Sequence, residues 1–267
     1  MHPDHRARLA IVLLSGLALV PSGCQPLRTL QPSWMGPEKR QEASTLEAVD
    51  LDKRQKVDIK VAFARSAELR GDIDGALAAY QESLAHDPNR ADIYHRVALL
   101  YDRKNDPAMA RQFYLEAVSR APENAEIHCD LGYSSYAQRN WGEAEKSLRT
   151  ALGLKPNLAR AHNNLGLLMA RTGRADEALH EFSQAGLPES QARVNLAFAL
   201  LLEGQTEAAS CQLDLASAQD AGSARQRICQ LRDVIQRTSS AGQASAASSA
   251  VAQLPPSAGP ASQVAYR

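Results

Sequence analysis

Residues 125–158 read AEIHCDLGYSSYAQRNWGEAEKSLRTALGLKPNL. Apolar and small residues recur at helical spacing in both halves, with Leu131 and Gly132 in the first and Ala144, Leu148 and Ala151 in the second. Pro156 then ends the second half, because proline cannot continue a helix. The same frame fits residues 57–90 and 91–124, each 34 residues long, with Pro88 and Pro122 at the matching place. Ala76, Ala110, Ala144 and Ala178 recur at that interval, and Gly132 and Gly166 share position eight with Ala64 and Ala98. Gly71, Asn105 and Gly173 near position fifteen mark a turn between two helices. A fixed period of this length is the signature of a stacked helical array.

The pattern resembles the tetratricopeptide repeat (TPR). Leu131-Gly132, Ala144, Ala151 and Pro156 fill that family's favoured places, and Tyr80, Tyr114 and Phe182 supply its aromatic at position twenty-four in other copies. Tyr94, His128 and His162 stand where the family favours tryptophan at position four. The resemblance implies an all-α fold, a right-handed solenoid of about five helix-turn-helix repeats. A fourth unit spans 159–189 and is about three residues short, and a fifth spans 190–222, so the TPR domain is 57–222. Residues 223–237 carry Ile228, Leu231, Val234 and Ile235 on one face and resemble a capping helix. The tail, 238–267, is rich in Ala, Ser, Gln, Gly and Pro and has no charge before Arg267; such a composition cannot bury a core and is expected to be disordered.

Upstream, Arg6 and Arg8 precede the apolar run LAIVLLSGLALV (9–20), and Ser22-Gly23 precede Cys24. Charged, apolar and small residues in that order form an export signal, here residues 1–23. Twelve apolar residues make a helix of roughly 18 Å, too short for a hydrocarbon core of roughly 30 Å. The stretch resembles a bacterial lipoprotein signal, although Pro21 replaces the usual leucine. That resemblance implies lipidation at Cys24 and a cell-envelope location, with Gln25 favouring the outer membrane. An ordinary cleaved signal beside a chance cysteine is the alternative. Residues 24–56 would form a tether, rich in proline at first, and a charged lead-in helix.

Composition excludes some roles. Without residues 1–23 the chain carries 28 basic and 29 acidic residues, which argues against nucleic acid as a partner. No nucleophile elbow, phosphate loop or zinc-ligand spacing is present, so no catalytic residue, metal, cofactor or small-molecule substrate is expected. His128 and His162 lie one repeat apart at a packing position, which repetition explains better than metal binding. In an exported protein Cys211 and Cys229, eighteen residues apart across an antiparallel turn, could form a disulfide, with two buried thiols as the favoured alternative.

The TPR resemblance implies that first helices line a groove. Asp130, Asn164 and Asn195 then fall at position six, Tyr133, Leu167 and Phe198 at position nine, and Arg171 at position thirteen. Asparagine amides offer both donor and acceptor to a peptide main chain, and the position-nine residues would add apolar contacts. The alternative is that these asparagines only cap or solvate the repeats. The expected partner is a protein or peptide in this groove. The leader, the repeat number and the stretch 163–205, with its shortened unit before ARVNLA, resemble the TPR lipoproteins of Tad (Flp) pilus assembly. The expected role is a membrane-anchored adaptor or scaffold in assembly of a pilus or secretion complex. The alternative is an accessory scaffold or regulator of a cell-wall (peptidoglycan) enzyme.

Overall fold

The computed structural model describes residues 52–218, 222 and 224–240. The expectations for the signal, for Cys24 and its tether, and for the tail beyond residue 240 lie outside the described residues. The described residues all belong to one compact unit.

Among the described residues every regular element is a helix. They are α1 (Lys53–Leu69), α2 (Ile73–His86), α3 (Ala91–Arg103), α4 (Pro107–Arg120), α5 (Ala125–Ala137), α6 (Trp141–Leu154), α7 (Ala159–Arg171), α8 (Ala175–Gln184), α9 (Glu189–Leu202), α10 (Thr206–Ala218) and α11 (Arg225–Ser240). Odd and even helices pair in sequence, each pair packing on the next. α1 starts at Lys53, four residues before the repeat frame, because Asp52 and Gln55 close a capping box that satisfies its first turn.

One turn recurs inside every pair. The amide of the residue at position sixteen donates to a carbonyl five residues back: Asp72 N to Ala67 O, Asp106 N to Tyr101 O, Asn140 N to Ser135 O, Arg174 N to Met169 O and Gln205 N to Leu200 O, all 2.9–3.0 Å. This Schellman geometry needs a left-handed residue at position fifteen. Gly71, Gly173 and Gly204 provide it, but so do Asn105 at φ 56° and Arg139 at φ 59°. Arg139 is the residue that the search for turn signals passes over. A left-handed non-glycine costs roughly 1–2 kcal/mol, and the looser unfolded chain of glycine gives back part of any gain. Arg139→Gly should therefore stabilise the protein by about 0.5–1 kcal/mol in urea unfolding. No gain would mean that the left-handed arginine is not strained in this turn.

Small residues let the paired helices approach. A Cβ on Gly132 would lie 2.7 Å from Leu148 Cγ, and one on Gly166 would lie 2.7 Å from Phe182 Cδ1. In the first two pairs Ala64 and Ala98 hold that position, and a tyrosine hydroxyl links the two helices. Tyr80 donates to Glu68 Oε1 at 2.6 Å and Tyr114 to Asp102 Oδ2 at 2.8 Å. Burial pushes the Asp102 carboxyl above its ordinary range, against the hydrogen bonds from Ser134 and Tyr114. The main core is one seam from Ala125 to Leu231, with two smaller clusters under the first repeats.

Between pairs, the loops at Pro88, Pro122 and Pro156 are bound back by side chains. His128 and His162 place Nε2 2.9 and 2.8 Å from the carbonyls of Pro122 and Pro156, and Arg120 Nε donates to Pro88 O at 2.7 Å. The shortened fourth unit ends differently. Gly186 at φ 79° supports a Leu187 N to Phe182 O bond, and Pro188 then starts α9 directly.

At the C-terminal end α11 lays Ile228 and Leu231 on the face of α10 that carries Leu213 and Ala216. Neither reading of Cys211 and Cys229 holds: no disulfide is formed and the two thiols are not buried, since both are free and exposed. The reason is angular. Successive helical residues are rotated by about 100°, so Cys211 is turned away from the seam of Ala209 and Leu213, and Cys229 from that of Ile228.

A candidate protein-binding face on the first helices

Each residue expected to line the groove lies on a first helix, but their surroundings differ. Asp130, on α5, is buried, and both its oxygens are engaged. Oδ1 accepts from Arg160 Nη1 of α7 at 2.6 Å, and Oδ2 lies 2.8 Å from His95 Nε2 of α3. Arg160 also donates to Glu126 Oε2 at 2.6 Å. This network ties three successive repeats together. Asp130 is thus a structural tie, a correction to its expected place among partner contacts.

The asparagine row is likewise turned inward. Asn164 and Asn195 are only 7% and 4% exposed. Asn164 Nδ2 faces Cys129 Sγ at 3.7 Å, and Asn195 Nδ2 donates to Asn163 Oδ1 at 3.4 Å. Position six points at the neighbouring first helix, where successive repeats close on each other. An open amide ladder is therefore not what the structure presents at these two residues.

What remains accessible is apolar and aromatic. Tyr133 is 41% exposed, and its ring stacks on Tyr136 at 6.0 Å. Tyr136 in turn meets Trp141 at 5.7 Å. Leu167 and Phe198 are half-buried against the main core. Arg171 places its guanidinium carbon 5.8 Å from the Tyr136 ring and 5.4 Å from Trp141, while Nε donates to Glu203 Oε1 at 2.7 Å. The charged end of Arg171 is thus held as a rim of the aromatic patch. Near α9, Arg227 of the last helix lies 5.1 Å over the Phe198 ring.

Sequence reasoning missed Tyr136, Trp141 and Arg227. Tyr136 and Trp141 carried a signal, since three aromatics within nine residues are conspicuous in a chain with 5% aromatics. Arg227 carried none, because its contact depends on how α11 docks. An open cleft of about 680 Å³ at the loop after α4, lined by Arg120, Pro122, Glu126, Leu154 and Lys155, contains none of these aromatic residues. Among the described residues no group of three His, Cys, Asp or Glu is placed to hold a metal, and no helix is long and apolar enough to cross a membrane.

A tetratricopeptide repeat family model matches residues 61–125 and again 129–192, in step with the paired helices. The paired helices over those residues are similar to tetratricopeptide repeats, and the fold is a TPR-type helical solenoid. Over 159 residues the chain is 30% identical to Protein FlbA of Caulobacter vibrioides, a match covering 58% of this chain and 26% of that protein. Over 141 residues it is 28% identical to the Type IV pilus assembly protein PilF of Pseudomonas aeruginosa, covering 52% of this chain and 56% of that one. The chain therefore spans less than two thirds of either relative. A crystal structure of MamA superposes with a TM-score of 0.52 at 22% identity, covering 64% of this chain and 94% of that one, a likeness of fold.

Proposed function

We propose that this TPR protein is an exported, lipid-anchored adaptor that holds a protein partner on its first helices during assembly of a pilus or secretion complex. A solenoid offers a long surface to partners. The observation that carries the reading is the line Tyr133, Leu167 and Phe198. These residues take the same position in three successive repeats, with Tyr133 exposed although it is large and aromatic. Aromatic residues beside a fixed arginine are the composition of interface hot spots. The relation to a pilus assembly protein supports the choice of process. The anchor is the Cys24 diacylglycerol that the leader implies, with the outer membrane favoured.

The test is an in-cell crosslink and pull-down comparing wild type with Tyr133→Ala/Leu167→Ala, folding being checked by circular dichroism. The expected result is loss of one specific partner by about tenfold or more, the size of a truncated hot spot. An unchanged partner list would move binding off this face. A pilus or secretin component as the lost partner supports the reading, whereas a peptidoglycan enzyme would replace it by a cell-wall role. Cys24→Ala should shift the protein from membranes to the soluble fraction, and unchanged fractionation would rule out the lipid anchor.

A further inference from the structure

Position seven of the first helix is buried in every repeat but the first. Val97, Leu131, Leu165 and Leu196 fill it, and Ile93, Ile127, Ala161 and Ala192 fill position three beside it, all 5% exposed or less. In each case the second helix of the preceding repeat lies on this side. In α1 the same positions hold Ile59 and Phe63, at 54% and 59% exposed. Two large apolar side chains one turn apart, on a face built to be covered, mark an interaction surface.

The opposite end of the solenoid is closed, because α11 covers α10 with Ile228 and Leu231. Head-to-tail stacking of copies therefore has no open acceptor. The α1 face does complement itself. Lay α1 antiparallel to a copy about a two-fold axis at the level of Val61. Phe63 of each then meets Ile59 of the other, Lys56 faces Ser66, and Arg70 faces Asp52. Gln55, Lys56, Ala62, Ser66 and Arg70 are all exposed on α1, as is its cap Asp52. Apolar residues at the centre and opposite charges at both ends make an isologous contact. A parallel arrangement would set Arg70 against Arg70.

We propose that the exposed face of α1 is a homodimer contact, covered by the same face of a second copy. The contact uses one helix from each copy, which is the small end of specific interfaces and implies reversible association. It is distinct from the Tyr133 face, so either proposal can fail without the other.

The experiment is sedimentation equilibrium of the purified full chain in density-matched detergent. The wild type is expected to dimerise reversibly in the micromolar range. Ile59→Asp/Phe63→Asp should be monomeric throughout, with helicity unchanged because both side chains are exposed. Arg70→Asp should weaken the dimer about tenfold by setting two acids face to face, and adding Asp52→Asn, which keeps the helix cap, should remove that repulsion and restore part of the affinity. A monomeric wild type overturns the proposal, whether the face then proves open to labelling or covered by upstream chain or by another protein. A dimer indifferent to Ile59→Asp/Phe63→Asp, or an Asp52→Asn change that restores nothing in the Arg70→Asp protein, overturns it equally.

Discussion

Asp130→Ala should destabilise the protein by about 2–4 kcal/mol in urea unfolding. Deleting one partner of a buried ion pair strands the other charge, at a cost of about 3–5 kcal/mol where burial is complete. Here the cost is smaller, since Arg160 keeps Glu126 and its side chain remains 16% exposed. His95, 18% exposed at its side chain, loses its acid as well. Asp130→Asn keeps an acceptor facing Arg160 and should cost about half as much. The exposed pair of Lys104 and Asp74 is the control, because removing Lys104 should leave the unfolding midpoint nearly unchanged. A stable Asp130→Ala protein that has lost its partner would instead return Asp130 to the binding face.

Gly166→Ala should cost about 1–3 kcal/mol, the usual range for an overpacked core. The helix itself would gain up to about 1 kcal/mol from alanine, so the clash must exceed that gain. The new methyl would meet two ring carbons of Phe182 at 2.7 Å and the Ala178 carbonyl oxygen at 3.2 Å. A ring held in the core has little room to yield, and the carbonyl belongs to the facing helix. Alanine is accepted at this position in the first two repeats, where Ala64 and Ala98 are paired with Tyr80 and Tyr114 rather than with phenylalanine. Removing the ring removes the two closest contacts, so Gly166→Ala combined with Phe182→Ala should lose less than the two single changes added together, a coupling that a double-mutant cycle measures. Strict additivity would mean that the helices simply move apart.

The repeating architecture was legible because its signals are local and recur. Proline, glycine and alanine at fixed positions report on turns and close contacts within one 34-residue unit, and helical spacing marks which side of each helix is apolar. Arg139 escaped because a left-handed arginine leaves no compositional trace, and only the neighbouring turns reveal it. The candidate binding face was legible in part. Its positions were assignable from register, and Tyr133 proved exposed, but the roles of Asp130, Asn164 and Asn195 were not readable. The Cys211–Cys229 pairing failed for a related reason, since sequence separation measures reach but not direction.

The sequence by itself determined the period, the helix pairs, the turns and the apolar seam. These depend on interactions spanning fewer than about 35 residues, and each repeat restates them. The tertiary structure alone decided which polar groups are free. His95, Asp130 and Arg160 come from three different repeats, and Arg227 reaches Phe198 from the last helix. Whether a carboxylate or amide can meet a partner depends on what has already neutralised or bonded it, and that neighbour is supplied by long-range packing. The same packing buries position seven in four repeats and leaves Phe63 exposed in the first.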